Sequence, residues 1–439
     1  MNNRRALSLA AASAAVALAL TGCGAGGPST GTTADGKVEL TMTGWNLSAT
    51  PEFKTLTDGY MATHPNVTIT LKEYSSDDYE KQLTVDLSGG QPADIITMKG
   101  MNKYYGYAQS GGLLNIADIA KELSPGLDSS IYDLNGEYYS IPYRTDSWVI
   151  FYNKDMFKKA GVAEPKAGWT WDDYIKTGEQ LKAGLAAAGY DANSVKASYM
   201  HNWQTVVQAF ALAQVDGADY FSGDYTYMKK YYERALKMQD EDLTINYATS
   251  TASKVQYQAQ FGSQKAAMLP MGSWYISTLV DQQKTGAAEK FDWGMVSVPQ
   301  NPDKSTPSVP ETFGSSTGLS LSAKLSGAKL EAAKDFVKWA CGEEGAMALA
   351  AITSTPAYSS DKVVEKFFSN AGIPTDEQSK DAWSEHKTTP DTPIGAGTAE
   401  IQSLLNTMHS AIMTGTKPID QGLADGGREI QNSGALTAK

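Results

Sequence analysis

The alternation of apolar and polar residues between Val38 and Met98 constrains this chain most. Val38, Leu40 and Met42 alternate with polar neighbours, the two-residue period of a half-buried strand. Thr50-Pro51-Glu52 then opens a helix with proline at its first position, and Phe53, Leu56, Tyr60 and Met61 form its apolar stripe. His64-Pro65 ends it, after which Val67, Ile69 and Leu71 resume the two-residue period. Ser75 or Ser76 is placed to cap a second helix, with Tyr79, Leu83 and Leu87 inward and Gly89-Gly90 closing it. Ala93 to Met98 reads as a buried third strand. Strand–helix–strand–helix–strand at this spacing predicts βαβ units on a mostly parallel sheet. In such sheets ligands sit beyond the carboxyl ends of the strands. Those ends carry Thr43-Gly44-Trp45-Asn46, Glu73-Tyr74 and Lys99 to Tyr105.

The beginning of the chain is of another kind. Arg4 and Arg5 precede the apolar run Ala6–Leu20, which is too short to span a bilayer comfortably. Leu20-Thr21-Gly22-Cys23 follows the pattern of a bacterial lipoprotein signal. Residues 1–22 are therefore expected to be a signal peptide, with Cys23 the lipidated first residue of the mature chain. Its acyl chains would hold the protein at the extracellular face of the cell membrane without a transmembrane helix. Residues 23–36, rich in Gly, Ser and Thr, form a flexible tether with a reach of roughly 20 Å. With Cys23 lipidated, Cys341 has no partner for an intrachain disulfide, so stability rests on the apolar core. The length favours two or three domains. The 37 Lys and Arg residues are outnumbered by 49 Asp and Glu, with no basic run, which argues against a nucleic-acid partner. His64, His201, His386 and His409 are scattered without metal-ligand spacing, and no metal or cofactor is expected.

The stretch Gly136–Ala160 combines Tyr138, Tyr139 and Pro142 with an Arg144–Asp146 charge pair and the apolar run Trp148–Tyr152. Asn153-Lys154-Asp155 then caps a helix. A strand with charges at its entrance suggests a passage between two lobes. Thr170 to Asp173 has the form of a capping box, and Trp171 beside it reads as a packing residue. From Trp203 to Phe261 the chain is mainly helical, with Tyr227, Tyr231 and Tyr232 as amphipathic packing. Phe261–Val280 reads as a strand ending in a loop with Gly272 and Trp274; Asp292–Pro299 and Gly314–Leu321 read as further strands. Gly314-Ser315-Ser316-Thr317-Gly318 matches the G-x-S-x-G nucleophile pattern, but no downstream Asp and His stand out as partners for Ser316.

Several short motifs occur in order: Pro92-Ala93-Asp94-Ile95, Tyr107 to Leu114, Tyr152 to Asp155, Thr170 to Asp173, Gly272-Ser273-Trp274 and Gly342-Glu343-Glu344-Gly345. With the lipoprotein signal, they make the chain resemble the family 1 extracellular solute-binding proteins of ABC importers, the maltodextrin and oligosaccharide binders. The resemblance implies an α/β, two-lobe, type II periplasmic-binding-protein-like fold with hinge crossovers and a central cleft. It implies that residues 37–146 and 314–353 form one lobe, and 147–313 and 354–439 the other. The crossings would lie near Arg144–Val149, Glu311–Ser316 and Thr353–Pro356. It further implies a monomer that is not an enzyme. Such a protein captures a carbohydrate, here an oligosaccharide, by cleft closure and delivers it to the permease subunits of an ABC transporter.

By position, the resemblance makes Trp45 and Asn46 a cleft-edge pair, and places Lys99 where the family has an aromatic. Asn102 and Lys103 fall where the maltodextrin binder has an acid and a base. Tyr143, Arg144 and Asp146 lie at the first crossing, Asp146 at the place of an acid that holds sugar hydroxyls. Trp203 and Trp274, with Tyr275 beside it, match aromatics of the second lobe. Where the maltodextrin binder has a stacking tryptophan, Gly395–Ala399 offers only small residues, and Trp383 is the candidate replacement. These departures imply a saccharide of another shape than maltodextrin. Two alternatives remain: the same fold holding a polar solute such as glycerol phosphate through Lys99, Lys103 and Arg144, or a polysaccharide-acting surface enzyme using paired carboxylates such as Asp77 or Asp146.

Overall fold

A computed structural model describes residues 36–48, 50–76, 78–302 and 309–437. The signal peptide, Cys23, nearly all of the tether, and Asp77 lie outside the described residues. Among the described residues no helix is long and apolar enough to cross a membrane.

Strands β1 (Val38–Trp45), β2 (Val67–Tyr74) and β3 (Ile95–Met98) form the parallel ladders that the sequence predicts, β1 lying between the other two. The connecting helices, Glu52–Thr63 and Tyr79–Ser88, bury Phe53, Leu56, Tyr60, Tyr79 and Leu83. The second helix begins after Asp78, whose N–H donates to Ser75 Oγ at 3.2 Å, so this serine shapes the turn before the helix. Pro51 likewise sits just outside the first helix.

A tight hairpin, β4 (Asp133–Leu134) and β5 (Glu137–Tyr138), leads into the long β6 (Ile141–Asn153). Its turn residues Asn135 and Gly136 have φ of 58° and 86°, the left-handed pair that a two-residue hairpin requires. The remaining strands are β7 (Lys196–Ser198), β8 (Ala266–Gly272), β9 (Trp293–Val296), β10 (Glu311–Leu321) and β11 (Lys387–Pro390). The sheet runs β2-β1-β3-β10-β6-β8-β7, with β11 paired to β10 and β9 to β6. It is mixed because β10 lies antiparallel to both β3 and β6.

Two hydrophobic cores flank this sheet. One holds side chains from Val38 to Tyr143 and from Leu319 to Leu349. The other holds side chains from Trp148 to Phe313 and from Ala346 to Ala435. β6 serves both: Arg144 to Ser147 pair with Thr317 to Gly314 of β10, and Trp148 to Tyr152 pair with Gly272 to Met268 of β8. A third segment runs beside them, where Arg144 bridges Pro356 and the Ala357 N–H donates to the Tyr143 carbonyl at 3.0 Å.

Local signals hold around this frame. Asn153 Oδ1 accepts from the Met156 N–H at 2.9 Å and so caps the helix Lys154–Ala160. Thr170 and Asp173 form a reciprocal capping box. Trp171 is buried and donates its indole N–H to Gln214 Oε1. Tyr231 and Tyr232 are buried packing residues, and Tyr227 is half-buried. Gly314 to Gly318 lies within β10, and Ser316 Oγ lies 3.0 Å from Thr145 Oγ1, so there is no exposed nucleophile turn.

Candidate functional site

A cleft of about 610 Å³ opens between the two cores. Its aromatic wall comes from three separate segments: Trp148 on β6, Trp203 before the helix Thr205–Gln214, and Trp274 just past β8. Ring centroids lie 6.4 Å apart for Trp148–Trp203, 5.7 Å for Trp148–Trp274 and 6.2 Å for Trp203–Trp274. The first two pairs are edge-on and the third tilted, arrangements that aromatic quadrupoles favour. Trp148 is held from behind by Phe313, stacked at 4.7 Å, and by Phe210. Trp274 donates its indole N–H to the Tyr257 hydroxyl at 3.2 Å. Gly272 leaves room for that ring, since any side chain there would collide with it. Trp203 is 41% exposed and rests against His201, whose ring is 4.3 Å away. Burial pushes His201 down to about 4, which keeps the imidazole neutral near pH 7.

The facing wall is polar. Asn102 and Lys103, in the turn after β3, reach the cleft from the first core's side. Asn202, Gln204 and Thr205 line it from the second side, as do Ala399, Gln402, Ser403 and Asn406 on the helix Thr398–Met413. Asn102 Nδ2 donates across the cleft to Gln402 Oε1 at 2.8 Å, and Gln402 Nε2 donates to Thr392 Oγ1 at 3.3 Å. Asp391 follows β11; burial pushes its carboxyl up to about 6, with hydrogen bonds from Thr392 pulling the other way. Among the described residues no group of three or more His, Cys, Asp or Glu could hold a metal ion.

Of the residues expected from sequence, Asn102, Lys103, Trp203 and Trp274 line this cleft together. The others are occupied elsewhere. Tyr143 donates to Glu52 Oε1 at 2.7 Å, and Arg144 reaches Glu52 Oε2 at 2.7 Å, Thr317 Oγ1 at 3.1 Å and Asp146 Oδ2 at 3.2 Å. Asp146 also accepts from Ser273 Oγ at 3.2 Å. Burial pushes Asp146 up to about 6 against the pull of Arg144, while Glu52 adds to the rise. These groups face one another inside the crossing because a buried charge is costly unless paired.

Trp45 packs edge-on to Phe53 and Tyr79 in the first core, with Lys99 Nζ 5.2 Å over its ring. Lys99 donates to Ser76 O and Oγ, both at 2.6 Å. Asn46, with φ 44°, makes an exposed turn and accepts from the Ser76 N–H. Tyr275 is fully buried between Phe151, Tyr257 and Phe261. Trp383 stacks on Phe367 at 4.6 Å and supplies no ring to the cleft. Gly395 and Gly397 are small because the Phe221 ring and the Ala435 backbone lie where a Cβ would go.

Sequence reasoning missed Asn202, Gln204, Thr205, Asp391 and the face of the helix Thr398–Met413, and read Trp148 only as core. The turn Pro390-Asp391-Thr392-Pro393 was the one local signal, since an acid between prolines has no helical or strand period to obey.

Residues 44–347 match the family described as bacterial extracellular solute-binding protein. A sugar transporter from Rhizobium etli, crystallised in an open conformation, is 32% identical, covering 90% of this chain and 99% of that one with a TM-score of 0.77. An ABC substrate-binding protein from Listeria monocytogenes in complex with cycloalternan shares the fold at 18% identity, covering 92% of this chain and 100% of that one (TM-score 0.75). The melibiose/raffinose/stachyose-binding protein of Bacillus subtilis is 23% identical over 350 residues, 78% of this chain and 79% of that protein. A Brucella abortus relative is 24% identical over 281 residues, 61% of this chain; the match spans 64% of that relative's length.

Proposed function

The chain belongs to the bacterial extracellular solute-binding proteins, family 1 of the ABC importers, and we propose that it captures a carbohydrate, an oligosaccharide, in the cleft. The observation that carries this reading is the wall of three tryptophans facing amide, hydroxyl and charged side chains. The C–H face of a sugar ring complements an aromatic face, at about 0.5–1.5 kcal/mol per contact by analogy with aromatic pairs. Its hydroxyls need donors and acceptors at fixed places, which Asn102, Lys103, Gln204, Asp391 and Asn406 offer. Two such stacks, on Trp203 and Trp274, with a few charge-assisted hydrogen bonds are compatible with micromolar affinity, about −8 kcal/mol. The saccharide-binding relatives point the same way.

In this reading residues 37–146 and 314–353 move against residues 147–313 and 354–439 about the three crossings and close on the ligand. A lipid anchor at Cys23 keeps the monomer beside a membrane permease that accepts its closed form. The anion alternative loses two of its three cations, since Lys99 is bonded to Ser76 and Arg144 to Glu52. The hydrolase alternative lacks a facing pair of carboxylates among the described residues lining the cleft.

The test is calorimetry and thermal shift with melibiose, raffinose, stachyose, lactose, maltotriose and sn-glycerol 3-phosphate. A saccharide at about 100 times its Kd should add about 2.7 kcal/mol to stability and raise Tm by several degrees. The radius of gyration should fall in solution scattering. Binding of glycerol phosphate alone, or of nothing in the panel, overturns the reading. Retention of a Cys23→Ser variant at the membrane would refute the anchor.

A further inference from the structure

Among the described residues that line the cleft, Asp391 is the one acid. Its N–H donates to the Gly314 carbonyl at 2.9 Å, which fixes it to β10 where Gly314 pairs with Ser147, next to Trp148. Asp391 thus stands beside the aromatic wall on a backbone held by strand pairing. Behind it lies a notch of about 10 Å³, room for one water-sized group, bordered also by Gln204, Tyr220 and Tyr227. Gln204 Oε1 and the Tyr227 hydroxyl are buried there without a hydrogen-bond partner in the protein. A carboxylate and an amide oxygen accept, whereas a tyrosine hydroxyl can also donate. A ligand hydroxyl, which both donates and accepts, matches this set. A phosphate or carboxylate would set lone pairs against lone pairs.

We infer that Asp391 is the acceptor that fixes saccharide hydroxyls in the cleft, and that capture uses its carboxylate form, so that binding is linked to pH. This rests on the saccharide reading above and adds the group that regulates it. With its carboxyl near 6 in the free cleft, hydroxyls donated to the carboxylate would lower that value, so binding near pH 6 releases a proton. The charged and titratable groups facing Asp391 are Lys103 across the cleft and, in the notch, Tyr220 and Tyr227, both pushed upward by burial. Asp146 titrates in the same range within the crossing, so it is the group to be distinguished.

The experiment is calorimetry of the full chain with the tightest-binding saccharide of the panel, from pH 5.0 to 7.5, in buffers of different ionisation heat. The wild type should release up to about half a proton per saccharide near pH 6, approaching one at about pH 5, and bind up to ~10-fold more weakly per pH unit below about pH 6. Asp391→Asn should bind about 10- to 100-fold more weakly at pH 7.5 and show no acid limb; Asp146→Asn should keep that limb. An acid limb that survives Asp391→Asn, or disappears in Asp146→Asn, overturns the inference. So does wild-type binding without proton release, a measurement that decides the matter even where the variant does not fold. Absence of any saccharide binding at pH 7.5 overturns the saccharide reading together with it.

Discussion

Asp146 and Trp148 are two residues apart on β6, yet they belong to regions of opposite character. At the crossing every charge is used by another: Glu52 holds Tyr143 and Arg144, and Asp146 holds Arg144 and Ser273. In the cleft Trp203 and Trp274 keep exposed surface, with Trp148, itself buried, supporting them on Phe313 and with the Tyr257 hydroxyl holding the Trp274 indole. The crossing looks chemically richer in the sequence, but its chemistry is consumed in joining two lobes. Groups available to a solute are those the fold brings to the cleft with neutral partners, as Asn102 has in Gln402, rather than spending them on one another as ions.

The largest effect should come from Arg144→Ala, which leaves Glu52 and Asp146 buried without their base. A loss of about 3–5 kcal/mol in urea unfolding is expected, and a loss under about 1 kcal/mol would break the comparison. Trp148→Ala should cost about 3–5 kcal/mol of stability as well as affinity, because the ring is 3% exposed and supports both the core and the cleft. Trp203→Ala, at 41% exposure, should leave the unfolding midpoint nearly unchanged while weakening saccharide binding by about 0.5–1.5 kcal/mol. Equal stability losses for these two tryptophans would remove the distinction between a supporting ring and an open one.

Asp146→Asn sharpens the contrast through pH. The folded carboxyl titrates near 6 against an ordinary value of 3.8, so the folded state binds the extra proton between those values. This group's contribution therefore becomes more favourable as pH falls from about 6 to 4, by up to ~1.4 kcal/mol per unit. The variant lacks that gain, so its stability relative to the wild type should be highest at pH 7 and decline toward pH 4. A constant difference across the range would mean that Asp146 does not titrate there. The smallest effect is expected from Gln402→Ala, which removes the bond from Asn102 across the cleft. Stability should change by about 1 kcal/mol or less, with a slightly larger radius of gyration in the free protein.

Much of the fold was legible because its signals are local. The alternation in β1 and β2, the stripe of Phe53, Leu56 and Tyr60, and the Thr170–Asp173 box each lie within a few turns of chain, and each forms as read. Trp203 and Trp274 match second-lobe aromatics of the family by position, and both line the cleft. Trp45, matched by position to a cleft edge, packs instead against Phe53 and Tyr79. Nothing near Arg144 and Asp146 in the chain reveals Glu52, 92 residues away from Arg144, so in the sequence alone they have the look of ligand groups. The cleft face of the helix Thr398–Met413 was missed for a similar reason. Gln402 meets Asn102 across 300 residues, and polar residues on a helix ordinarily signal only a solvated face.

By itself, then, the sequence determined the opening strands and helices and the family, because periodicity, capping and short motifs are properties of neighbours in the chain. Only the tertiary structure decided which polar groups neutralise one another and which remain for a solute. That choice depends on partners brought together from distant segments, and on the cost of burying any charge left without one.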